Sequence, residues 1–139
     1  EKPEIYLSAE DQQEAQRWKG SLNIGGRPIL AIHSSGRTNR KLLTHLEWWR
    51  VFKKLKNDFF IVQVGHYRDQ WIPAHRHVLF PASLTKTLRI LSVADVFFGP
   101  DSGLMHAATA LNRPCVILHN ESEGGDYFLP ALSDEGRGI

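Results

Sequence analysis

One cysteine, Cys115, is all that the 139 residues contain, so no intramolecular disulfide can staple the chain and its core alone must hold it. The small disulfide-built secreted domains are thereby excluded. Cys115 sits in the apolar run Pro114 to Leu118 and reads as a small buried hydrophobe in a reduced, cytoplasmic setting. No apolar stretch approaches the ~20 residues needed to span a bilayer. The N-terminus, Glu1-Lys2-Pro3-Glu4, has neither an initiator Met nor a secretory signal pattern, which predicts a piece of a longer protein. There is no repeat or low-complexity segment. Charge of one sign is also missing: 17 Lys and Arg face 15 Asp and Glu, the cations are spread along the chain, and nucleic acid is not a required partner. The Walker A, Gly-x-Gly-x-x-Gly and Gly-x-Ser-x-Gly patterns are absent.

What is present is a globular composition, 42% hydrophobic and 23% charged, in a length that suits one domain, 1–139. Buried-strand patterns occur at Pro28–His33, Phe59–Val64 (ending at Gly65-His66), His77–Phe80, Val96–Gly99 and Cys115–Leu118, with a further short strand predicted at Ile5–Leu7. Helical patterns alternate with them. Ser8 with Asp11 opens a helix carrying Ala15, Trp18 and Leu22. Thr44 with Glu47 opens one with Leu46, Trp49, Phe52 and Leu55 inward and a basic face from Arg50 to Lys56. Of Trp48 and Trp49, at least one anchors that helix to the sheet. Ser83 caps a helix with Leu84, Leu88 and Leu91 on one face, and Ser102 precedes one with Leu104, Ala107, Ala108 and Leu111 on its core stripe. Continuous apolar strands between amphipathic helices define an α/β fold, a Rossmann-like parallel sheet of about five strands covered on both faces. The tail 121–139 is weakly patterned and is expected to be partly disordered.

Ligands in such folds sit beyond the carboxyl ends of the strands. Two loops there carry chemistry. Ser34-Ser35-Gly36-Arg37-Thr38-Asn39-Arg40-Lys41 supplies hydroxyls and three cations, and Asp101-Ser102-Gly103 opens a helix. A helix start presents unpaired N–H groups and a partial positive charge, and a glycine there lets a phosphate approach. Alone, the first loop fits a solvated basic turn as well as a ligand loop, and the second fits a plain helix cap better than a ligand site; facing one crevice, they fit a phosphate ester. His75-x-His77 is the only close histidine pair and has no cysteine or carboxylate at ligand spacing, so no metal site is expected.

The run Ala94-Asp95-Val96-Phe97-Phe98-Gly99-Pro100-Asp101-Ser102-Gly103-Leu104-Met105-His106-Ala107-Ala108 resembles the signature of glycosyltransferase family 9, the lipopolysaccharide heptosyltransferases. Pro81-Ala82-Ser83-Leu84 and Leu111-Asn112-Arg113-Pro114 agree with it, and the similarity runs from about Pro3 to about His119. The resemblance implies the C-terminal, donor-binding half of a two-domain GT-B enzyme, inverting and metal-independent, with no cofactor beyond an ADP-linked nucleotide sugar as substrate. The donor would be ADP-heptose and the acceptor of lipopolysaccharide type. It implies that Ser34, Ser35, Ser102 and Gly103 meet the pyrophosphate and that Lys41 lies near phosphate and sugar, with Arg40 and Arg37 as alternatives in its loop. Asp101 would contact the sugar, His106 would belong to the donor-site architecture, and Ala82 would line the adenine pocket. No acid is matched to the ribose beyond Asp69 as a candidate. The catalytic residue, a base, would come from a missing N-terminal acceptor domain, leaving this piece able to bind nucleotide but not to turn over. The Arg50–Lys56 face reads first as a solvated helix face, with peripheral contact with acidic lipids of the cytoplasmic membrane face as the alternative. The alternative is a non-catalytic nucleotide- or sugar-phosphate-binding module.

Overall fold

The computed structural model describes residues 5–35, 43–80 and 84–118. Nine elements follow in the order α1 (Ala9–Gly20), β1 (Ile29–His33), α2 (His45–Leu55), β2 (Phe60–His66), β3 (Arg76–Phe80), α3 (Leu84–Val93), β4 (Val96–Pro100), α4 (Gly103–Ala110) and β5 (Cys115–Leu118). The five strands form one sheet, β3-β2-β1-β4-β5, in which every pairing is parallel. The expected strand at Ile5–Leu7 is not formed: these residues have no regular structure, and Ile5 instead packs on the core beneath α3 and α4. A strand needs a free sheet edge as well as an apolar run, which a three-residue pattern cannot report.

Capping chemistry sets the helix starts. The Ser8 hydroxyl accepts from Asp11 N (3.0 Å), and Thr44 and Glu47 exchange both bonds of a capping box (3.1 and 2.8 Å). At the far end of α4 the N–H groups of Asn112 and Arg113 return to the carbonyls of Thr109 and Ala108, and Asn112 takes φ 63° to allow it. This closure, followed by Pro114, stops the helix and aims the chain into β5. Gly25 and Gly26, with φ of 61° and 79°, make the turn that delivers β1.

The sheet divides two apolar layers. On one face, Ile29 and Ala31 of β1, Phe60, Val62 and Val64 of β2, and Phe97 of β4 pack under α3 and α4. On the other, Leu30, Ile32 and Ile61 pack against Trp48 of α2 and Ile72 of the segment that joins β2 to β3. This is the arrangement that right-handed parallel crossovers require: connections moving outward from β1 to β3 cover one face, and those moving back through β4 to β5 cover the other. The α1 helix lies outside α3, clamped by Arg89, whose Nε and Nη2 both lie 2.7 Å from Asp11 Oδ1. The Arg89 hydrogen bond and the Ser8 hydroxyl hold the Asp11 carboxyl below its ordinary pKa.

The inward face of α2 differs from the expectation. Trp48 is buried and stacks edge-on against Phe98 at 6.1 Å, while Leu46 is 60% and Trp49 37% exposed. Helical spacing admits both settings, since Phe52 and Leu55 lie at i+4 and i+7 from Trp48, and Leu46 and Phe52 at i−3 and i+3 from Trp49. Leu84 is likewise exposed, and α3 buries Thr87, Ile90, Leu91 and Val93. Leu22 lies beyond the end of α1, although it is buried as expected.

His75 ties the sheet edge. Its Nδ1 accepts from Ile61 N at 2.8 Å, Arg27 Nη1 lies 3.3 Å from its Nε2, and the ring stacks on Phe60 at 5.0 Å. Burial, with Arg27 and Lys56 nearby, pushes its pKa below the ordinary 6.5.

Two measurements check this architecture. Trp48→Ala should cost about 3–5 kcal/mol in denaturant titration, whereas Trp49→Ala should cost under about 1 kcal/mol; equal losses would contradict the assignment of the inner tryptophan. Because the folded pKa of His75 is depressed, the unfolded chain binds the extra proton first, and stability should fall as pH drops through 6.5 toward the lower folded value. The melting temperature measured from pH ~7.5 to ~5.5 should fall less steeply in His75→Asn; an unchanged slope would remove His75 as its source.

Candidate functional site

Strand order reverses at β1, whose neighbours β2 and β4 send their chains to opposite faces. The crevice at such a switch point is where open parallel sheets bind ligands. Here it is walled by β1's last residues, the Gly65–Gln70 turn and the start of α4. Two adjoining cavities open into it, of about 240 and 340 Å³. Both are lined by His33, Leu84 and Leu104; the first adds Gly65 and Asp69, the second Ser102 and Gly103.

Ser102 is the N-cap of α4: its Oγ accepts from Met105 N at 3.4 Å, and its carbonyl accepts from His106 N at 3.1 Å. The N–H groups of Gly103 and Leu104 have no acceptor within the helix, as its geometry dictates. Gly103 is exposed, its φ is not in the positive region, and a Cβ added there would meet nothing within 4 Å. Neither folding nor packing requires a glycine at that position. Asp101 and His106 bracket this start, with Oδ1 and Nε2 3.3 Å apart and both side chains largely exposed.

Ser34 and Ser35 are turned to other use. Both are buried, at 0% and 1% exposure. The Ser34 hydroxyl donates to Gln70 O at 2.6 Å and accepts from Gln63 Nε2 at 3.2 Å, while Ser35 Oγ accepts from Gln70 N at 3.1 Å. Gln63, itself fully buried, completes the clamp through Gln70 O (2.7 Å) and Ile72 N (3.2 Å). The hydroxyls therefore fasten the exit of β1 to the turn after β2. Lys41, with its alternatives Arg37 and Arg40, and Ala82 lie outside the described residues, as do His119–Ser122 and the tail 121–139.

The residue that sequence reasoning missed is His33. Its ring lies on the floor of the crevice with Nδ1 3.3 Å from Ser102 Oγ and Nε2 3.2 Å from Asp69 Oδ2. The side chains of His33 and Asp69 are 11% and 5% exposed. Asp69 Oδ2 also accepts from His66 N at 2.9 Å, which closes the turn. Two glycines make the space: a Cβ on Gly65 would collide with Asp69 Oδ2 and fall 2.8 Å from His33 Cδ2, and one on Gly99 would fall 2.9 Å from His33 O. Each glycine is the next-to-last residue of a strand beside β1, so the signal existed in the sequence, but only the register of β2 and β4 against β1 makes it readable. Among the described residues no group of three or more His, Cys, Asp or Glu side chains is placed to hold a metal ion.

A parallel doubly wound sheet with a capped helix opening onto its switch point defines the class: a Rossmann-like α/β domain. Residues 1–135 match the family model of glycosyltransferase family 9 (heptosyltransferase), and the chain belongs to that family. Among solved structures it is similar to E. coli ADP-heptose lps heptosyltransferase II, at TM-score 0.63 and 18% identity over 83% of this chain and 39% of that one. It is also similar to the iron-containing dodecameric glycosyltransferase TibC of enterotoxigenic E. coli H10407, at TM-score 0.54 and 22% identity over 66% of this chain and 28% of that one. A TibC structure in complex with ADP-D-beta-D-heptose matches at TM-score 0.56 and 20% identity over 79% of this chain and 29% of that one. At these identities the likeness is one of fold. The chain spans about two fifths or less of the structures it matches. No curated protein sequence matches it significantly. No helix among the described residues is long and apolar enough to cross a membrane.

The Ser34 clamp is testable without any ligand. Ser34→Ala strands a buried donor of Gln63 and should lower the stability of the free chain by about 1–3 kcal/mol. A denaturation midpoint equal to wild type would place the hydroxyl outside the scaffold.

Proposed function

We propose that this chain is the donor-binding part of an inverting, metal-independent glycosyltransferase that transfers heptose from ADP-heptose to a lipopolysaccharide-type acceptor. The observation that carries the reading is the open start of α4: an exposed glycine with no role in the fold, beside unpaired N–H groups, at the switch-point crevice of a family 9 chain. The diphosphate would accept from Gly103 and Leu104 N–H and from the Ser102 hydroxyl, while Asp101 would accept from sugar hydroxyls, with His106 holding its carboxylate. Lys41, or Arg40 or Arg37, would complete the phosphate charge, and Ala82 would line the adenine pocket. Ser34 and Ser35 would serve through their backbone, since their hydroxyls are engaged.

In transfer with inversion the acceptor oxygen attacks the anomeric carbon from the face opposite the diphosphate. The carbon–oxygen bond to the diphosphate breaks, and its electron pair stays on the phosphate oxygen. Oriented N–H groups at a helix start stabilise that developing charge without reorganising. The acceptor's proton would pass to a base in an N-terminal acceptor domain of the longer protein, so this chain alone would bind donor but not turn over. The exposed cations Arg50, Lys53, Lys54 and Lys56 support a peripheral contact of the enzyme with the acidic cytoplasmic membrane face.

Calorimetry of the chain against ADP, UDP and GDP tests the reading: ADP should bind saturably and more tightly than the other two. Gly103→Ala should keep or slightly raise stability, because alanine is the better helix residue, yet weaken ADP about tenfold or more by blocking the phosphate's approach to the helix N–H groups. Equal ADP affinity in Gly103→Ala, or no binding of any nucleotide by wild type, would overturn it.

A further inference from the structure

The described surface outside the crevice carries an exposed aromatic group at Trp49 and Trp71 and a basic face on α2, but the most chemically specific arrangement is the buried line Asp69–His33–Ser102. Hydrogen-bond bookkeeping fixes its direction. Asp69 Oδ2 accepts, so the neutral His33 ring carries its proton on Nε2. His33 Nδ1 is then an acceptor, and the only proton available to it along the 3.3 Å contact is that of the Ser102 hydroxyl. Ser102 Oγ meanwhile accepts from Met105 N. In this state the hydroxyl proton points down into the protein and presents only a lone pair to an arriving anion. That is the wrong polarity for a phosphate oxygen.

We propose that His33 is a positioning residue that couples proton uptake to diphosphate binding at the start of α4. When a diphosphate binds, His33 Nδ1 takes one proton from solvent and becomes the donor to Ser102 Oγ, and the Ser102 O–H rotates to donate to a phosphate oxygen. No covalent bond changes; one proton is gained, and the hydrogen bond between the two side chains reverses. The inference rests on the donor-site reading above.

The surroundings give each ring nitrogen a partner. Asp69 offers a carboxylate with almost no competing solvent, and the slot between Gly65 and Gly99 holds the ring in place. Among the described residues the other ionisable groups around the crevice are His66, at the end of β2, and the Asp101–His106 pair at the start of α4. From α3 the described residues that line it are Leu84, Thr87 and Leu88, none of which titrates in this range. Ser102 is nine-tenths buried, so its proton has only the ring and the ligand side to choose between.

The experiment is calorimetry with ADP-glucose, whose diphosphate is substituted at both ends and has no proton to exchange near neutrality. Titrations run from pH ~6 to ~8 in buffers of different ionisation enthalpy. Wild type should take up close to one proton per ligand at the upper end, and affinity should tighten by up to about tenfold per pH unit as pH falls, levelling once the free protein is protonated. His33→Asn should bind with pH-independent affinity and no proton uptake, with its circular dichroism reporting the fold. Nitrogen-15 spectra of wild type supply a readout that needs no mutant: the Nε2–H tautomer in the free chain at high pH, and both nitrogens protonated in the complex. A pH-independent wild-type affinity, an Nδ1–H tautomer in the free chain, or a slope lost in His106→Gln but kept in His33→Asn would overturn the inference while leaving the donor site standing. Absence of ADP-glucose and ADP binding at every pH would overturn the donor reading and the coupling with it.

Discussion

Strand β1 is hydrogen-bonded along both edges, to β2 and to β4, and the rest of the domain is arranged by that fact. Parallel pairing obliges each connection to cross over a face, and right-handedness decides which face. With β1 in the middle, the crossovers on its two sides leave by opposite faces, and the ends of β1, β2 and β4 are left bordering a gap that no helix fills. The core, the crevice and the position of α4 all follow from this one constraint.

The same strand carries a change of chemistry along its length. Ile29 to Ile32 are buried in apolar layers above and below the sheet, yet the next three residues, His33, Ser34 and Ser35, are as buried and entirely polar. Burying them is tolerable only because each polar atom finds a partner: His33 through Asp69 and Ser102, the serines through Gln63 and Gln70. Three of those four partners come from β2 or from the turn that follows it. The turn at Gly65–Gln70 is thus held by the end of β1 as well as by its own His66–Asp69 bonds, and the wall of the crevice is held from two sides.

Features set by residues three or four apart were legible in the chain. The caps at Ser8, Thr44 and Ser102 and the five apolar strands needed only local pattern, and the Asp101-Ser102-Gly103 helix start was readable for the same reason. Features set by register were not. Trp48 and Trp49 satisfy helical spacing equally, and only the position of Phe98 across the sheet selects the first. The two loop serines read as ligand groups because their hydroxyls had no visible local partner; their partners lie 29 to 36 residues away. His33 looked like the last residue of a strand, since the acid and the hydroxyl that give it a role are 36 and 69 residues distant.

The glycines flanking His33 have an evolutionary consequence. Positions 33, 65 and 69 share one volume, because a Cβ at 65 would collide with the His33 ring and the Asp69 carboxylate, whereas a Cβ at 99 would meet the backbone carbonyl of residue 33 whatever side chain it carries. A relative carrying a larger residue at 65 would have to give up the imidazole and its acid together, and with them the partner of the helix cap, while position 99 would stay small for any residue at 33. Positions 33, 65 and 69 should therefore drift as a unit, and the residue at 33 would tell, from sequence alone, whether a relative's crevice has a floor that can carry charge.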